Sequence, residues 1–334
     1  MTTTLPASLY TDATVYGRER DALFGRTWQL AGFRAQLRQP GDYVAHEFAG
    51  WQVLVAVQDD GTLRAFHNVC RHRAGPLVTD DAGRCNSFVC RYHGWAYGLD
   101  GALRSARDFG AYVDLGEFPL FDIRVEEWRG LVFVNLDADA VPLADDHGAF
   151  FAAVAGQPLE QFSYSHRARH HVAANWKVYC DNYGEGYHVP LVHPELNLEL
   201  VAKEYRVDVG DHFCTHSAPA RDGAVNSGLW LWRYPNLALN VYPSGMNVER
   251  FLPDGVGGTH IIYDYFFADL EARDVNGDAV RMGTLLLDED RTICEAVQRN
   301  LAAGVYDTGV LSPRHEIGLA AFHRWYQESM GTYR

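Results

Sequence analysis

The sequence predicts an α+β protein of two domains, and three features of the 334-residue chain predict it. From Tyr43 to Leu136, short alternating runs (WQVLVAV, GTLRAFHNV, NSFVCRYHGWAYGLDG, GLVFVNL) are separated by Gly and Asp turns, the pattern of a small all-β domain. From residue 163 onward strands and helices mix, with SYSHRARHHVAAN, LWLWRYPNLALNVYPS and THIIYDYFFADL reading as strands. The stretch from Asp288 to Tyr333 reads as mostly helical. A chain of this length buries a substantial core and accommodates two domains.

Ahead of the β texture, residues 12–38 hold an amphipathic stretch that ends at the Pro40–Gly41 break, and residues 137–160 form a connector with Ala, Asp and Pro. These breaks divide the chain into an N-terminal helical segment (1–40) packing on the second domain, an all-β domain (41–139) and a mixed domain (140–334). Composition is that of an ordinary globular protein, 47% hydrophobic and 22% charged. The net charge of −14 argues against nucleic acid and against anionic membrane surfaces as partners. No apolar run approaches the roughly 18 residues of a membrane span. The N-terminus lacks a basic region followed by an apolar stretch, so the expected location is the cytoplasm.

Two pairs of cysteine and histidine carry the first chemistry: Cys70-x-His72 and, after a 17-residue gap, Cys90-x-x-His93. Two thiolates and two imidazoles suit a [2Fe–2S] cluster with the sulfurs on one iron and the nitrogens on the other, a set that raises the potential above that of an all-cysteine ferredoxin. The same donors also suit zinc. Against zinc, Cys-x-His is a poor finger spacing and no helix pattern carries the histidines. Gly94 and Gly98 allow close backbone approach, while Arg71 and Tyr92 are placed to donate hydrogen bonds to sulfurs or loop carbonyls. Cys85, Cys180, Cys214 and Cys294 are scattered and read as reduced thiols.

The second chemistry lies in NWKVYCDNYGEGYHVPLVHP, residues 175–194. His188 and His193 flank Pro190, and five residues along a regular helix would turn them about 140° apart. Pro190 biases Val189 away from helical geometry, so a helix is expected to end near His188 and His193 to return from the next turn. Two histidines need one carboxylate to complete a facial triad that leaves positions open for O2. In LLLDEDRTICEAVQRNL, Leu286, Ile293, Cys294, Val297 and Leu301 share a helical face with Asp290 at its centre, Asp288 opposite and Glu289 aside. A carboxylate on an apolar stripe needs a cation, which makes Asp290 the expected third ligand. Glu185, three residues before His188, is placed to accept a ring N–H from a ligand histidine. Asn182 and Tyr187 are expected to shape the iron pocket.

Together these motifs resemble the catalytic α subunits of Rieske non-haem iron oxygenases over nearly the whole chain, the second as N-W-K … D/E-N … E/D-x-Y-H-x-x-x-x-H. The resemblance implies a Rieske domain and a helix-grip (START-like) catalytic domain with a curved antiparallel sheet. It implies one [2Fe–2S] cluster at Cys70, His72, Cys90 and His93 and one Fe(II) at His188, His193 and Asp290 per subunit. It also implies a head-to-tail homotrimer in which Glu185 links the cluster of one subunit to the iron of its neighbour. Electrons from NAD(P)H would arrive through a separate reductase, since the chain has neither a G-x-G-x-x-G nucleotide loop nor plant-type ferredoxin cysteine spacing.

Glutamate at 185 and the tail from Ile293 to Tyr326 are similar to choline, glycine betaine and carnitine oxygenases, which implies hydroxylation or oxidative dealkylation of a quaternary ammonium compound. Trp230, Trp232 and Tyr234 alternate along one strand and Tyr263, Tyr265 and Phe267 along another, offering rings to cage a trimethylammonium group. The same rings would hold an aromatic substrate. Ring hydroxylation or O-demethylation of an aromatic compound is therefore the alternative, with a non-catalytic Rieske electron carrier behind it.

Overall fold

The computed structural model describes residues 2–221, 224 and 228–331; the expected helix end at Tyr333 lies outside them. The chain divides into two compact units, residues 24–146 and residues 1–23 with 147–334.

The first unit holds strands β1 (Gln29–Phe33), β2 (Asp42–Phe48), β3 (Trp51–Val57), β4 (Leu63–His67), β5 (Ala82–Arg84), β6 (Phe88–Val89), β7 (Ala96–Tyr97), β8 (Leu103–Ser105), β9 (Asp122–Trp128) and β10 (Leu131–Asn135). They form an antiparallel sheet in the order β1-β10-β9-β4-β3-β2-β5 and a small sheet β6-β7-β8. Cys70 and Cys90 belong to the core of this unit, beside Leu54, Phe66, Phe88 and Tyr97. β1 corrects the boundary expected at residue 40. All five of its residues, QLAGF, are buried and it pairs with β10, Leu30 opposite Phe133. A strand covered on both faces shows no alternation, so its sequence merged with the amphipathic stretch before it.

The second unit begins with the short helices α1 (Ser8–Thr11) and α2 (Ala13–Glu19), and α3 (Leu143–Val154) brings the chain back to it. Its sheet comprises β11 (Ser163–Val172), β12 (Arg206–Val209), β13 (Phe213–Ser217), β14 (Leu229–Arg233), β15 (Leu237–Tyr242), β16 (Gly245–Pro253) and β17 (Thr259–Phe267). They form one curled antiparallel sheet in the order β11-β17-β16-β15-β14-β13-β12. The remaining helices are α4 (Trp176–Tyr183), α5 (Val189–Val192), α6 (Pro194–Glu199), α7 (Arg273–Ala302) and α8 (Ile317–Ser329). One face of the sheet carries Phe251 against Tyr179 of α4 (ring centroids 4.9 Å) and Trp232 against Phe322 of α8 (5.2 Å). α7 is 30 residues long and starts well before Asp288, so that Asp290 sits in mid-helix. Among the described residues no helix is long and apolar enough to cross a membrane.

A buried ion pair fastens the N-terminal helices to this unit. Lys177 Nζ lies 2.5 Å from Glu19 Oε1, both side chains fully buried, and Glu19 also accepts from Trp176 Nε1 (2.9 Å) and the Tyr326 hydroxyl (2.7 Å). Removing one partner strands a buried charge, at a cost of about 3–5 kcal/mol. Lys177→Met is therefore expected to lower unfolding stability by about that amount in a denaturant melt.

Candidate metal centres and their cavity

Two loops of matching build carry the cysteine–histidine pairs. In the first, the Cys70 N–H donates to the Gly75 carbonyl (2.8 Å) and the Ala74 N–H returns to the Cys70 carbonyl (3.0 Å). In the second, the Cys90 N–H donates to Trp95 (2.9 Å) and the Gly94 N–H returns to Cys90 (2.8 Å). Ala74 and Gly94, the equivalent residues, both take left-handed conformations (φ 54° and 78°). Both thiols are free and buried, within hydrogen-bonding reach of one another. The His72 and His93 rings lie 4.5 Å apart, Trp95 stacks on His72, and the buried Nδ1 of His72 has no hydrogen-bond partner. A Cβ on Gly75 would sit 2.8 Å from the Cys90 sulfur, so glycine is what clears that sulfur. Two thiols, two imidazoles and an orphaned ring nitrogen fit the mixed ligand set of a [2Fe–2S] cluster. The hydrogen-bonding tyrosine is Tyr97 rather than Tyr92. Its hydroxyl lies 3.4 Å from Cys70 Sγ and accepts the Arg71 N–H (3.0 Å), whereas Tyr92 is exposed under Arg73 and the Arg71 guanidinium donates to the Pro119 carbonyl (2.7 Å).

His188, His193 and Asp290 come together in the second unit, their ligand atoms all within 4.8 Å of one another. His188 Nε2 lies 3.1 Å from His193 Nε2, and Asp290 Oδ1 lies 3.0 Å from His193 Nε2 and 3.7 Å from His188 Nε2. The backbone reaches this arrangement differently from the sequence expectation. α4 ends at Tyr183, capped by Gly184, and not near His188. Residues 185–188 are loop, and Pro190 opens the short α5 instead of ending a helix, at a position where its missing N–H costs nothing. His188 and His193 thus stand at the two ends of one helical turn. On α7 the buried face runs through Met282, Leu287 and Cys294 beside Asp290; Ile293 and Val297, placed on that face from the sequence, are exposed. Asp288 pairs with Arg291 (2.9 Å) at the surface.

Carboxylates flank both rings. Glu185 Oε1 lies 2.6 Å from His188 Nδ1, and Glu289 Oε2 lies 2.7 Å from His193 Nδ1. An ionised carboxylate only accepts, so each Nδ1 carries the proton and each Nε2 turns a lone pair toward Asp290. Two lone pairs and a carboxylate oxygen facing one another need a cation between them. Their chemistry fits a two-histidine, one-carboxylate iron site with outer carboxylates fixing the rings. Glu289, set aside by helical angle alone, is the partner the sequence did not reveal. Glu185 lies in the loop, where its Oε2 also accepts the backbone N–H groups of Tyr187 and His188.

A cavity of about 120 Å³ opens beside the triad and is lined by Asn182 and Glu185 among others. Tyr187 is not part of it; the ring is exposed and stacks on His315 (4.7 Å). Cross-strand register builds the sheet wall. His216, Trp230, Asn240 and Asn247 stand opposite one another in a row, and Trp232, Ala238, Glu249 and Tyr263 form the next. Of the four aromatics expected at the substrate, Trp230 and Tyr263 line the cavity. Trp232 is buried under α8 against Phe322 and Trp325, and Tyr265 stacks on His166 (5.0 Å). The polar lining went unread: Asn240, Asn247, Glu249, Tyr205 and His216. Asn247-x-Glu249, two polar residues on one face of a fully buried β16, is the signal that could have found it. Burial pushes the Glu249 carboxyl up to about 8, offset in part by Asn247 and Asn240 and reinforced by Asp290. Burial, with His188 nearby, pushes His216 down to about 4, so its ring is neutral at pH 7. Its Nδ1 lies 3.0 Å from the Tyr205 hydroxyl and its buried Nε2 has no partner.

A cysteine–histidine β unit together with a unit holding a two-histidine, one-carboxylate site defines a class: iron-dependent redox enzymes with an electron-accepting domain of their own. The comparisons give the family. Residues 27–119 match the Rieske [2Fe-2S] domain, and residues 159–222 and 217–332 match the catalytic domain of the ring hydroxylating alpha subunit. The chain is 30% identical to the chloroplastic choline monooxygenase of Beta vulgaris over 98% of its own length and 77% of that protein. It is 30% identical to the carnitine monooxygenase oxygenase subunit of Escherichia coli (strain K12), over 91% and 85%. Among solved structures it is similar to a quaternary ammonium Rieske monooxygenase studied for carnitine oxidation and inter-subunit electron transfer (TM-score 0.90, 28% identity, covering 98% of this chain and 95% of that one). The chain belongs to the Rieske non-haem iron oxygenases, enzymes that incorporate molecular oxygen.

Proposed function

We propose that this chain is a terminal oxygenase component that hydroxylates or oxidatively dealkylates a quaternary ammonium compound. One observation carries the substrate class. The cavity beside the triad is walled by aromatic rings (Tyr183, Tyr205, Trp230, Tyr242 and Tyr263) and by carboxylates, with no Lys or Arg among its lining residues. Rings attract a cation through their faces, and clustered carboxylates favour it further. An aromatic substrate would need the rings but not the acids. The kinship with choline and carnitine monooxygenases supports the same reading.

His188, His193 and Asp290 would hold Fe(II), and Cys70, His72, Cys90 and His93 the [2Fe–2S] cluster. Bound there, these groups supply electron storage and O2 activation, the chemistry that side chains lack. In the net reaction one oxygen atom enters a C–H bond of the substrate and the other leaves as water, consuming a pair of electrons and two protons. Glu185 and Glu289 hold the two imidazoles as Nδ1–H tautomers, so the Nε2 lone pairs stay aimed at one point. Glu185 also clamps the 185–188 loop through backbone N–H groups, and the kinship with Rieske oxygenases supports reading it as the link along which electrons reach the site. Asn182 and the cavity rings orient the substrate and exclude water. Electrons come from NAD(P)H through a separate reductase. The active assembly is a homotrimer in which the cluster of one subunit serves the iron of the next, a reading supported by likeness to the structure concerned with inter-subunit electron transfer.

Choline, carnitine, glycine betaine and aromatic acids or ethers, each mixed with the purified protein, a surrogate reductase, NADH and O2, test this. Substrate-dependent O2 uptake with an alkylammonium compound is expected. Turnover of aromatic compounds alone would overturn the substrate class and leave the oxygenase.

A further inference from the structure

Glu249 is a buried carboxylate in the cavity that the metal centres do not use. It stands on β16, only 5% exposed, across from Tyr263 of β17. Both amide donors it receives converge on Oε1, from Asn240 (2.5 Å) and Asn247 (3.0 Å). Those amides are locked in turn: the Tyr183 hydroxyl donates to Asn240 Oδ1 (2.7 Å) and the Tyr242 hydroxyl to Asn247 Oδ1 (3.4 Å). Four side chains therefore fix one oxygen of Glu249, and among the described residues Oε2 receives no donor. No lysine or arginine pairs with the group among the described residues. A carboxylate this buried needs a positive partner, and the cavity supplies none of its own.

We propose that Glu249 is the specificity-determining residue of the cavity, with Oε2 facing the ammonium head of the substrate, so that the site selects alkylammonium cations without a carboxylate over zwitterions. This rests on the quaternary ammonium reading above. Burial without a counter-charge holds the empty-site carboxyl above its usual range, and a fixed positive charge beside it restores ionisation. The second half of the proposal follows from the same lining. Glu185, Glu249 and Asp290 all border the cavity, and no Lys or Arg among its lining residues would meet a substrate carboxylate. A hydroxyl, by contrast, finds the unpartnered Nε2 of His216.

The test compares three ligands of similar shape on the holoenzyme carrying both metal centres: choline, its uncharged carbon isostere 3,3-dimethylbutan-1-ol, and glycine betaine. Equilibrium binding is read by calorimetry and KM and kcat by O2 uptake. The unaltered protein is expected to bind choline about tenfold or more tighter than either other ligand, the size of an effect worth one pKa unit. Glu249→Gln keeps the shape and the Asn hydrogen bonds. It is expected to raise KM for choline about tenfold with kcat within about threefold, and to leave the isostere unchanged. Equal binding of choline and isostere by the unaltered protein overturns the proposal without needing any variant to fold. So does tighter binding of glycine betaine, or a Glu249→Gln effect that is the same for choline and isostere. Absence of turnover with every alkylammonium compound would instead sink the functional reading itself.

Discussion

Asp290→Ala is expected to lose the mononuclear iron while the visible absorption of the [2Fe–2S] cluster stays unchanged. The carboxylate lies 3.0 Å and 3.7 Å from the two Nε2 atoms and, among the described residues, is the acid that completes the cluster with them. Without it, two neutral imidazoles remain, and a doubly charged ion loses the anionic ligand of its facial triad. Activity should fall by more than about a hundredfold, since removing even an outer partner of a metal ligand costs about 10–100-fold. Metal analysis of the purified variant gives the iron-to-cluster ratio directly. The neighbouring acids make the prediction sharp. Asp288 only pairs with Arg291 at the surface, worth about 1 kcal/mol or less, and Asp288→Ala should keep its iron. Glu289 supports His193 through Nδ1, so Glu289→Ala should weaken iron retention by about 10–100-fold without abolishing it. Loss of iron from Asp288→Ala with retention in Asp290→Ala would contradict the assignment.

The second large effect is expected from Glu185→Gln: both metal centres retained, turnover slowed about 10–100-fold. Glutamine fills the same space and keeps one acceptor oxygen for the His188 ring, while its NH2 can no longer accept the backbone N–H groups of the loop. With that loop contact goes the negative charge on the 2.6 Å contact to His188 Nδ1. A role confined to positioning would lower iron content and activity together. A link for electrons instead lowers the rate at which a pre-reduced cluster is reoxidised by O2 and substrate, with iron content intact. Stopped-flow absorption of the cluster separates the two. Unchanged reoxidation and full activity would remove Glu185 from the electron path.

The parts of this site most legible in the sequence are those whose chemistry forces residue type and spacing together. Cys70-x-His72 and Cys90-x-x-His93 announce themselves because each thiol, imidazole and following left-handed residue recurs in a second loop of the same build. Asp290 was legible from helical period, although Ile293 and Val297 of the proposed face are exposed; the stripe is narrower than the hydrophobic residues suggest. Pro190 reads as a stop in the sequence and acts as a start in the fold, because proline is as welcome in a first helical turn as it is disruptive in a later one. β1 and β16 escaped because both their faces are covered and the alternation that marks a strand is missing. Glu249 and Asn247 escaped with β16, and Asn240 went unread although its strand β15 was expected. Their meeting is a product of strand register, and register depends on pairing partners distant in sequence.

A single turnover with isotopic oxygen follows the oxygen atoms themselves. Protein with a reduced cluster and Fe(II), mixed with choline and 18O2, is quenched and analysed by mass spectrometry. Oxidised choline carrying one labelled oxygen before exchange, or the corresponding dealkylated amine with labelled formaldehyde, is expected, with no product from Asp290→Ala. Cluster oxidation with no labelled organic product from choline or any other alkylammonium compound would contradict the proposed function.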